Sequence, residues 1–214
     1  MKKFILSIIF YFFFSTFTFS HVQHYSDINY LEYDLYRNNN LIGTHKYDFI
    51  RKGQNLTVKS EVNFKISKLG IDLYKYFAIS DENYKNGKFH SFSSKTKQNK
   101  KDKFVNIELN NEKNKLSIKG SSFTGNGNID YIVGTWWNHQ IIKAKAQISA
   151  ISGRIIEQKV VFLGKEKINV DGKSYNSLHF KFLSSDESLP DNKKLNTDIW
   201  YEESSFIWLK AKFV

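Results

Sequence analysis

The feature that most constrains this fold is the strict alternation of apolar and polar residues between positions 55 and 67. One parity of the run NLTVKSEVNFKIS is apolar apart from Ser60, and it holds Val58, Val62, Phe64 and Ile66. The other parity holds lysine, glutamate and asparagine. Successive side chains of a β-strand point to opposite faces of the sheet. The run is therefore predicted to be a half-buried antiparallel strand, apolar inward and polar outward.

Two further extended runs precede this strand, YLEYDLYR at 30–37 and LIGTHKYDFIR at 41–51. The segments that join the three runs are Asn38-Asn39-Asn40 and Lys52-Gly53-Gln54. Asn and Gly tolerate positive φ, so both segments are predicted to be tight turns. Gly43 lies inside the second run, where glycine weakens a strand, and it predicts a bulge or a close backbone approach.

The rest of the chain continues this pattern of strands and turns. A fourth strand is predicted near 71–82, where Leu73, Phe77 and Ile79 alternate with Tyr74 and Tyr76. Asn86-Gly87 and Asp171-Gly172 are hairpin turn signals. The lysine-rich stretch 95–103 is predicted to be a solvated hairpin tip.

One helix is predicted, from Thr135 to Ile151, with Asn138 as its cap. The strand at 154–165 is apolar on both faces at positions 160–163, which predicts that both faces are covered. The helix would provide one cover. The predicted fold is all-β: a curled antiparallel sheet or open barrel of about ten to eleven strands, with one short helix packed against it.

Residues 1–20 have the layout of a secretory signal peptide. Lys2 and Lys3 precede an apolar run at 4–19, and a cut after Ser20 would leave a single antiparallel β domain at 21–214. The protein is therefore predicted to be exported to the periplasm. The alternative is an uncleaved segment that anchors the chain in the inner membrane. With no cysteine, the chain has no disulfide framework.

The net charge of +11 has two interpretations. One is an acidic partner: nucleic acid, anionic lipid headgroups or lipopolysaccharide. The other is solubility in a chain rich in lysine and asparagine, since the charge is spread thinly. Export removes nucleic acid from the partners. This leaves an apolar small molecule or lipid and an anionic envelope surface, with the oligomeric state open.

The sequence carries no catalytic signature. Its six histidines do not form a zinc-protease spacing, it lacks a Gly-x-Ser-x-Gly elbow, and it has no thiol. Glu32, Asp34 and Glu61 lie on the polar parity of their strands, and no carboxylate is predicted at an apolar position. We therefore predict no catalytic residue, metal site or cofactor. Convergence of His45, His90 or His179 with a buried carboxylate would favour an enzyme instead.

Aromatic residues make up 16% of the chain and include four tryptophans. They are predicted to line an apolar cavity, and the alternative is that they fill an ordinary core. The candidate lining residues are Phe64, Tyr76, Trp136, Trp137, Phe162, Trp200 and Trp208.

Five short motifs also occur in order: Leu41-Ile42-Gly43-Thr44-His45, Val62-Asn63-Phe64-Lys65, Leu69-Gly70-Ile71-Asp72-Leu73-Tyr74, Trp137-Asn138 and Asp198-Ile199-Trp200-Tyr201. Together they resemble an exported family of Gram-negative bacteria known as a domain of unknown function, which implies no activity. More distantly, the layout is similar to periplasmic lipoprotein carriers, whose unclosed barrel holds acyl chains under a helical lid.

That second resemblance implies a fold and suggests a ligand class, but it identifies no functional residue. The expected function is a periplasmic module that binds or carries an apolar, acyl-chain or lipid-like ligand. The alternative is a ligand-free structural or interaction domain of the cell envelope.

Overall fold

The computed structural model describes residues 25–213, so the predicted signal peptide at 1–20 lies outside the described residues. Fourteen strands form an eight-stranded sheet and a six-stranded sheet. The strands are β1 (Tyr30–Arg37), β2 (Asn40–Lys52), β3 (Asn55–Lys68), β4 (Ile71–Lys85), β5 (Lys88–Gln98), β6 (Lys101–Asn110), β7 (Lys115–Gly120), β8 (Thr124–Asn128), β9 (Ile132–Val133), β10 (Ala146–Ile148), β11 (Ile155–Val170), β12 (Lys173–Ser184), β13 (Asn196–Glu202) and β14 (Trp208–Phe213). Across this part of the chain, no helix is long and apolar enough to cross a membrane.

The larger sheet is a meander in which β1 to β8 pair with their neighbours in sequence order. Its tight turns form where the sequence predicts them. Asn38 and Asn39 connect β1 to β2 with φ of 50° and 63°, and Asn86-Gly87 connects β4 to β5 with φ of 50° and 72°. The lysine-rich stretch 95–103 is the hairpin tip between β5 and β6, as predicted.

The alternation in β3 is confirmed. Val58 is buried and Phe64 is half-buried, whereas the lysines and glutamate of the other parity are exposed. The prediction for Gly43 is also confirmed. A Cβ at this position would lie 2.0 Å from the backbone oxygen of Asn63, and the pairing of β1 with β2 shifts register opposite it, after Leu35.

The second sheet has the order β14-β13-β12-β11-β10-β9, and only β9 and β10 pair in parallel. The prediction that positions 160–163 are covered on both faces is wrong, because Phe162 and Leu163 are each 53% exposed. The segment predicted to cover this strand forms only a four-residue 3-10 helix, and Leu163 lies in a bulge. The pairing of β11 with β12 shifts register between Phe162 and Gly164, and Leu163 is the extra residue.

The predicted helix at 135–151 is also wrong. The segment instead holds a four-residue 3-10 helix, His139–Ile142, followed by β10. Asn138 does cap it, since its side chain accepts a hydrogen bond from the Gln140 N–H. The predicted ten to eleven strands of one curled sheet are corrected to fourteen strands in two sheets, and neither sheet closes on itself within residues 25–213.

Two apolar clusters hold the sheets together. The larger one contains buried residues from both sheets, including Tyr47, Phe49, Ile199 and Tyr201, with Trp137 at its centre. The smaller one packs the inner face of β5, β6 and β7 against β9 and β10. Burial of this apolar area is the main favourable contribution to folding.

Candidate ligand-binding cavity

A cavity of about 450 Å³ opens between the inner face of β4 to β7 and the segment 129–144. Its apolar walls are formed by Phe89, Leu109, Leu116, Ile129, Tyr131, Ile132 and Val133. Its polar lining includes Glu82, Tyr84, Asn138 and Gln140, with Lys88, Asp130 and Lys143 as charged residues. This volume lies in the range of small-molecule binding sites, which are mostly apolar with a few polar groups.

Glu82 forms the polar floor of the cavity and is only 2% exposed. Its carboxylate accepts three hydrogen bonds from neutral donors. The Tyr84 hydroxyl donates over 2.6 Å, Trp137 Nε1 over 2.9 Å and the Thr135 hydroxyl over 3.0 Å. Asn138 extends the network, because its Nδ2 donates to the Tyr84 hydroxyl over 3.1 Å.

The position of this network follows from local structure. Glu82 and Tyr84 are two residues apart on β4, so both side chains point inward. The segment after β9 crosses this face and places Thr135 and Trp137 above them. Tyr47 fixes that segment from the other side, since its hydroxyl donates to the Thr135 carbonyl oxygen over 2.5 Å.

The environment of Glu82 changes its ionisation. Burial raises the pKa of the Glu82 carboxyl above its ordinary value, and the hydrogen bonds from Tyr84, Trp137 and Thr135 oppose this shift without cancelling it. A carboxyl with a raised pKa in a cavity is a frequent property of functional sites.

Glu82 is not among the residues predicted from the sequence, where no carboxylate is expected at an apolar position. The signal was the parity of β4, on which Glu82 lies in register with Tyr74, Tyr76 and Tyr84. The other parity of β4 holds Leu73 and Phe77, so the first half of this strand is apolar on both faces. Its pattern does not show which face is inward, and the structure places the tyrosines there.

Phe64 and Tyr76, two of the seven predicted cavity residues, lie together on the inner face of β3 and β4. Their rings stack with centroids 4.9 Å apart, and burial raises the pKa of Tyr76 to about 12. Trp136, Trp137 and Trp208 are buried in the larger apolar cluster. Trp137 is the one of these three that reaches Glu82.

The remaining two candidates lie elsewhere. Phe162 packs against Phe180, at 5.2 Å between centroids, and stays half exposed. Trp200 faces away from the apolar cluster, where it stacks on His179 at 4.1 Å. The structure therefore does not bring the seven residues into one site, and none of them is among the residues that line the Glu82 cavity.

His179 does meet a buried carboxylate, on the outer face of the second sheet. Its Nε2 lies 3.0 Å from Asp198 Oδ1 and its Nδ1 lies 2.9 Å from Glu166 Oε1. Lys181 Nζ lies 2.8 Å from the other oxygen of Asp198, and the Trp200 indole donates to Glu166 over 2.6 Å. Each of these groups is thus paired with another one of the cluster.

The His179 cluster lacks a free nucleophile, and it does not line the cavity. The hydroxyl of Ser177, the serine two residues before His179, is fully buried and donates to the Glu166 carbonyl oxygen over 2.9 Å.

His45 lies apart from any carboxylate contact, with its Nε2 2.9 Å from the Ser60 hydroxyl. Among residues 25–213, no three His, Asp or Glu side chains are grouped so that they could hold a metal ion. The cluster has the form of a structural ion-pair network.

The fold defines the chain as an all-β protein of two largely antiparallel, unclosed sheets. A solved structure with this fold is the β-barrel-like protein of the domain of unknown function DUF1849 from Brucella abortus, at 12% identity and a TM-score of 0.50. The match covers 86% of this chain and 96% of the other. Residues 33–214 match the domain of unknown function DUF6134, so the chain belongs to that family. No curated protein matches the chain.

Proposed function

We propose that the protein is a periplasmic module that binds or carries an apolar, acyl-chain or lipid-like ligand, with the Glu82 cavity as its binding site. The observation that carries this proposal is the cavity itself: about 450 Å³, with aliphatic and aromatic walls and one polar floor. An acyl chain placed against Phe89, Leu116 and Ile132 would leave water, which is favourable in proportion to the apolar area buried.

The charges of the cavity suggest how such a ligand would be oriented. Lys88, Lys143 and Asp130 are exposed and together carry a net +1, whereas Glu82 is buried at the floor. An anionic headgroup would be attracted by the two lysines and would find no cationic partner at the floor. We therefore expect the ligand to enter with its apolar end first and to keep its headgroup at the exposed lysines.

A fluorescence titration tests the proposal. The described fold, with both apolar clusters, is built from residues 25–213, so a chain that begins at His21 keeps every contact given above. This chain is titrated with an environment-sensitive apolar dye, and the dye is then displaced with a long-chain fatty acid. Saturable dye binding that the fatty acid reverses is the expected result.

A matched pair of variants assigns the binding to the cavity. Ala144→Phe adds a ring at a half-buried position of the lining, while Lys145→Phe adds the same ring at the exposed neighbouring position outside it. Ala144→Phe should weaken binding by roughly tenfold or more, which corresponds to about 1.4 kcal/mol of lost contact. Lys145→Phe should leave binding unchanged.

The alternative is a ligand-free interaction domain, and the packing of Trp136, Trp137 and Trp208 within a filled core favours it. Absence of saturable binding in the parent chain, or equal binding by the two variants, would support this alternative. Thermal unfolding of both variants shows whether each has folded before its binding is compared.

A further inference from the structure

Four connections of the larger sheet, at 38–39, 69–70, 99–100 and 121–123, lie at the same end, opposite the end where the chain turns at 53–54 and 86–87. The tip between β3 and β4 holds the most exposed large apolar residue described in residues 25–213, Leu69. Leu69 is 93% exposed, Ile71 66% and Leu73 56%. We use the name tip surface for this tip and the exposed residues beside it, which form an apolar group and a basic group. The apolar group is Leu69, Ile71, Leu73, Phe77 and Ile79. The basic group is Lys65, Lys68, Lys75, Lys95, Lys97, Lys100 and Lys101.

The turn at Leu69 differs chemically from the equivalent turns of the molecule. Asn or Asp occupies the first positive-φ position at Asn38, Asn86, Asn99 and Asp171, where it relieves the strain of that conformation. At the tip between β3 and β4 this position is Leu69, with φ of 52°. A bulky apolar residue at positive φ is an outlier, and one that is almost fully exposed gains nothing from packing inside the fold.

The outer face beside this tip interleaves apolar side chains with lysines. Phe77 on β4 lies directly opposite Lys97 on β5, and Ile79 on β4 lies directly opposite Lys95 on β5. Phe77 is 41% exposed and Ile79 is 43% exposed. The apolar stripe of β4 is therefore bordered by cations on the neighbouring strand rather than covered by another element.

The charge of this region is strongly unbalanced. Residues 61–79 and 95–103 contain eight lysines, two aspartates and Glu61, which lies opposite Ile79, and this gives a net +5 out of the +11 of the whole chain. One of these aspartates, Asp72, is already held by Lys65 at 3.4 Å and Lys75 at 3.0 Å. The positive charge that appears thinly spread along the sequence is thus concentrated at one end of the fold.

We propose that the tip surface docks on an anionic phospholipid bilayer. Leu69, Ile71 and Leu73 enter the boundary between headgroups and acyl chains, while the lysines of β5 and β6 contact the lipid phosphates. Binding at a bilayer surface scales with the apolar area buried plus the attraction of basic residues to anionic lipid, and this surface supplies both terms. The inference is independent of the cavity, because none of these residues lines it.

Charge complementarity favours a bilayer over a second copy of this chain. Two copies of this region facing each other would bring two net charges of +5 together, which opposes association. An anionic bilayer supplies many negative charges at once.

Flotation with lipid vesicles tests this inference on the chain that begins at His21. The vesicles contain phosphatidylcholine alone or phosphatidylcholine with phosphatidylglycerol. Binding is expected to the phosphatidylglycerol vesicles only, and added salt should weaken it. Equal binding to both kinds of vesicle would overturn the inference.

The apolar part is tested with the double variant Leu69→Asn and Ile71→Thr. Asn suits the positive φ of position 69 and Thr suits a strand, so this variant should fold at least as well as the parent. Its control replaces two exposed apolar residues elsewhere, Ile50→Thr and Leu163→Thr. The tip variant should lose vesicle binding while the control retains it, and retained binding by the tip variant would contradict the proposal.

The basic part is tested with Lys97→Gln, Lys100→Gln and Lys101→Gln together, against Lys52→Gln, Lys85→Gln and Lys115→Gln at the opposite end of the same sheet. Each lysine near an anionic surface contributes about a fivefold change in partition, so the first triple variant should bind at least roughly tenfold more weakly. Equal loss in both triple variants would show that net charge alone, and not the tip surface, governs binding.

Discussion

Two carboxylates of this protein, Glu82 and Asp198, are both little exposed, but their pKa values shift in opposite directions. Glu82 is 2% exposed and Asp198 is 9% exposed. The pKa of Glu82 is raised above its ordinary value, whereas that of Asp198 is lowered. Burial raises the pKa of both groups, but Glu82 lies deeper in the protein and Asp198 nearer the surface, so both depth and partners contribute to the difference.

The partners of Glu82 are neutral hydroxyl and indole donors, while Asp198 is bonded to Lys181 and to His179. At Asp198, these two bonds outweigh the desolvation. Asp198 therefore belongs to a self-contained ion-pair network. Glu82 is a buried acid whose charge the fold does not neutralise, and it faces an open cavity. This is why we place the candidate site at Glu82.

Replacing each carboxylate with leucine should give the largest difference between the two sites. Glu82→Leu leaves the Tyr84, Thr135 and Trp137 donors buried without an acceptor, which we expect to cost about 3–5 kcal/mol. Asp198→Leu leaves Lys181 and His179, whose side chains are 24% and 18% exposed and remain within reach of water. That change should cost only about 1–2 kcal/mol.

Urea unfolding of the parent and both variants measures this difference. Glu82→Gln is the control for Glu82→Leu, because an amide retains an acceptor for two of the three donors, and it should cost about 1 kcal/mol. If Glu82→Leu were no more destabilising than Asp198→Leu, the three donors would have found other partners, and the contrast between the sites would disappear.

The pH dependence of stability should have opposite signs at the two sites. The pKa of Glu82 is higher in the folded state than in the unfolded state. Its contribution to the free energy of unfolding is therefore complete below the unfolded-state pKa and is lost as the pH rises through the folded-state pKa. The pKa of Asp198 is lower in the folded state than in the unfolded state. Its contribution to the free energy of unfolding is therefore present above the unfolded-state pKa and is lost as the pH falls through the folded-state pKa. Each pH unit between the folded and unfolded values corresponds to about 1.4 kcal/mol.

Unfolding free energies of the parent, Glu82→Gln and Asp198→Asn, measured from pH 3 to pH 8, check these signs. Relative to the parent, Glu82→Gln should become steadily more favourable as the pH rises above about 4.3. Asp198→Asn should be most destabilising near neutral pH and less destabilising at pH 3. Parallel curves for the two variants would mean that their partners do not control ionisation as inferred.

Much of the fold could be predicted from local pattern. The parity of β3 and the turns at Asn38-Asn39, Asn86-Gly87 and Asp171-Gly172 are confirmed, because alternation and positive φ are properties of a few neighbouring residues. The helix at 135–151 could not be excluded in the same way. Its residues have suitable spacing, but Thr135 and Trp137 are held in irregular backbone by Glu82 and Tyr47, which are distant in sequence.

The site was less predictable than the fold for the same reason. Glu82 can be recognised as a buried carboxylate only when it is known which face of β4 points inward. The first half of that strand is apolar on both faces, so its sequence does not show this. The exposed parity of Leu73 and Phe77 then becomes part of the tip surface. The division of the strands into two sheets also depends on contacts far apart in the chain, such as the bond from the Tyr33 hydroxyl to the Trp208 carbonyl oxygen over 2.7 Å.

The smallest expected difference between the two carboxylates is the effect of salt on how much each substitution destabilises the protein. Salt weakens interactions between charges near the surface but has little effect on hydrogen bonds to neutral groups in the interior. Asp198 interacts with charges near the surface, so raising the ionic strength should reduce the cost of Asp198→Asn by a few tenths of a kcal/mol. Glu82 has neutral partners inside the protein, so the cost of Glu82→Gln should stay constant. Urea unfolding of both variants at low and high sodium chloride measures this. If the destabilisation by Glu82→Gln changed with salt, Glu82 would interact with a charged group at the cavity floor. It would then be an ion-paired carboxylate, as Asp198 is.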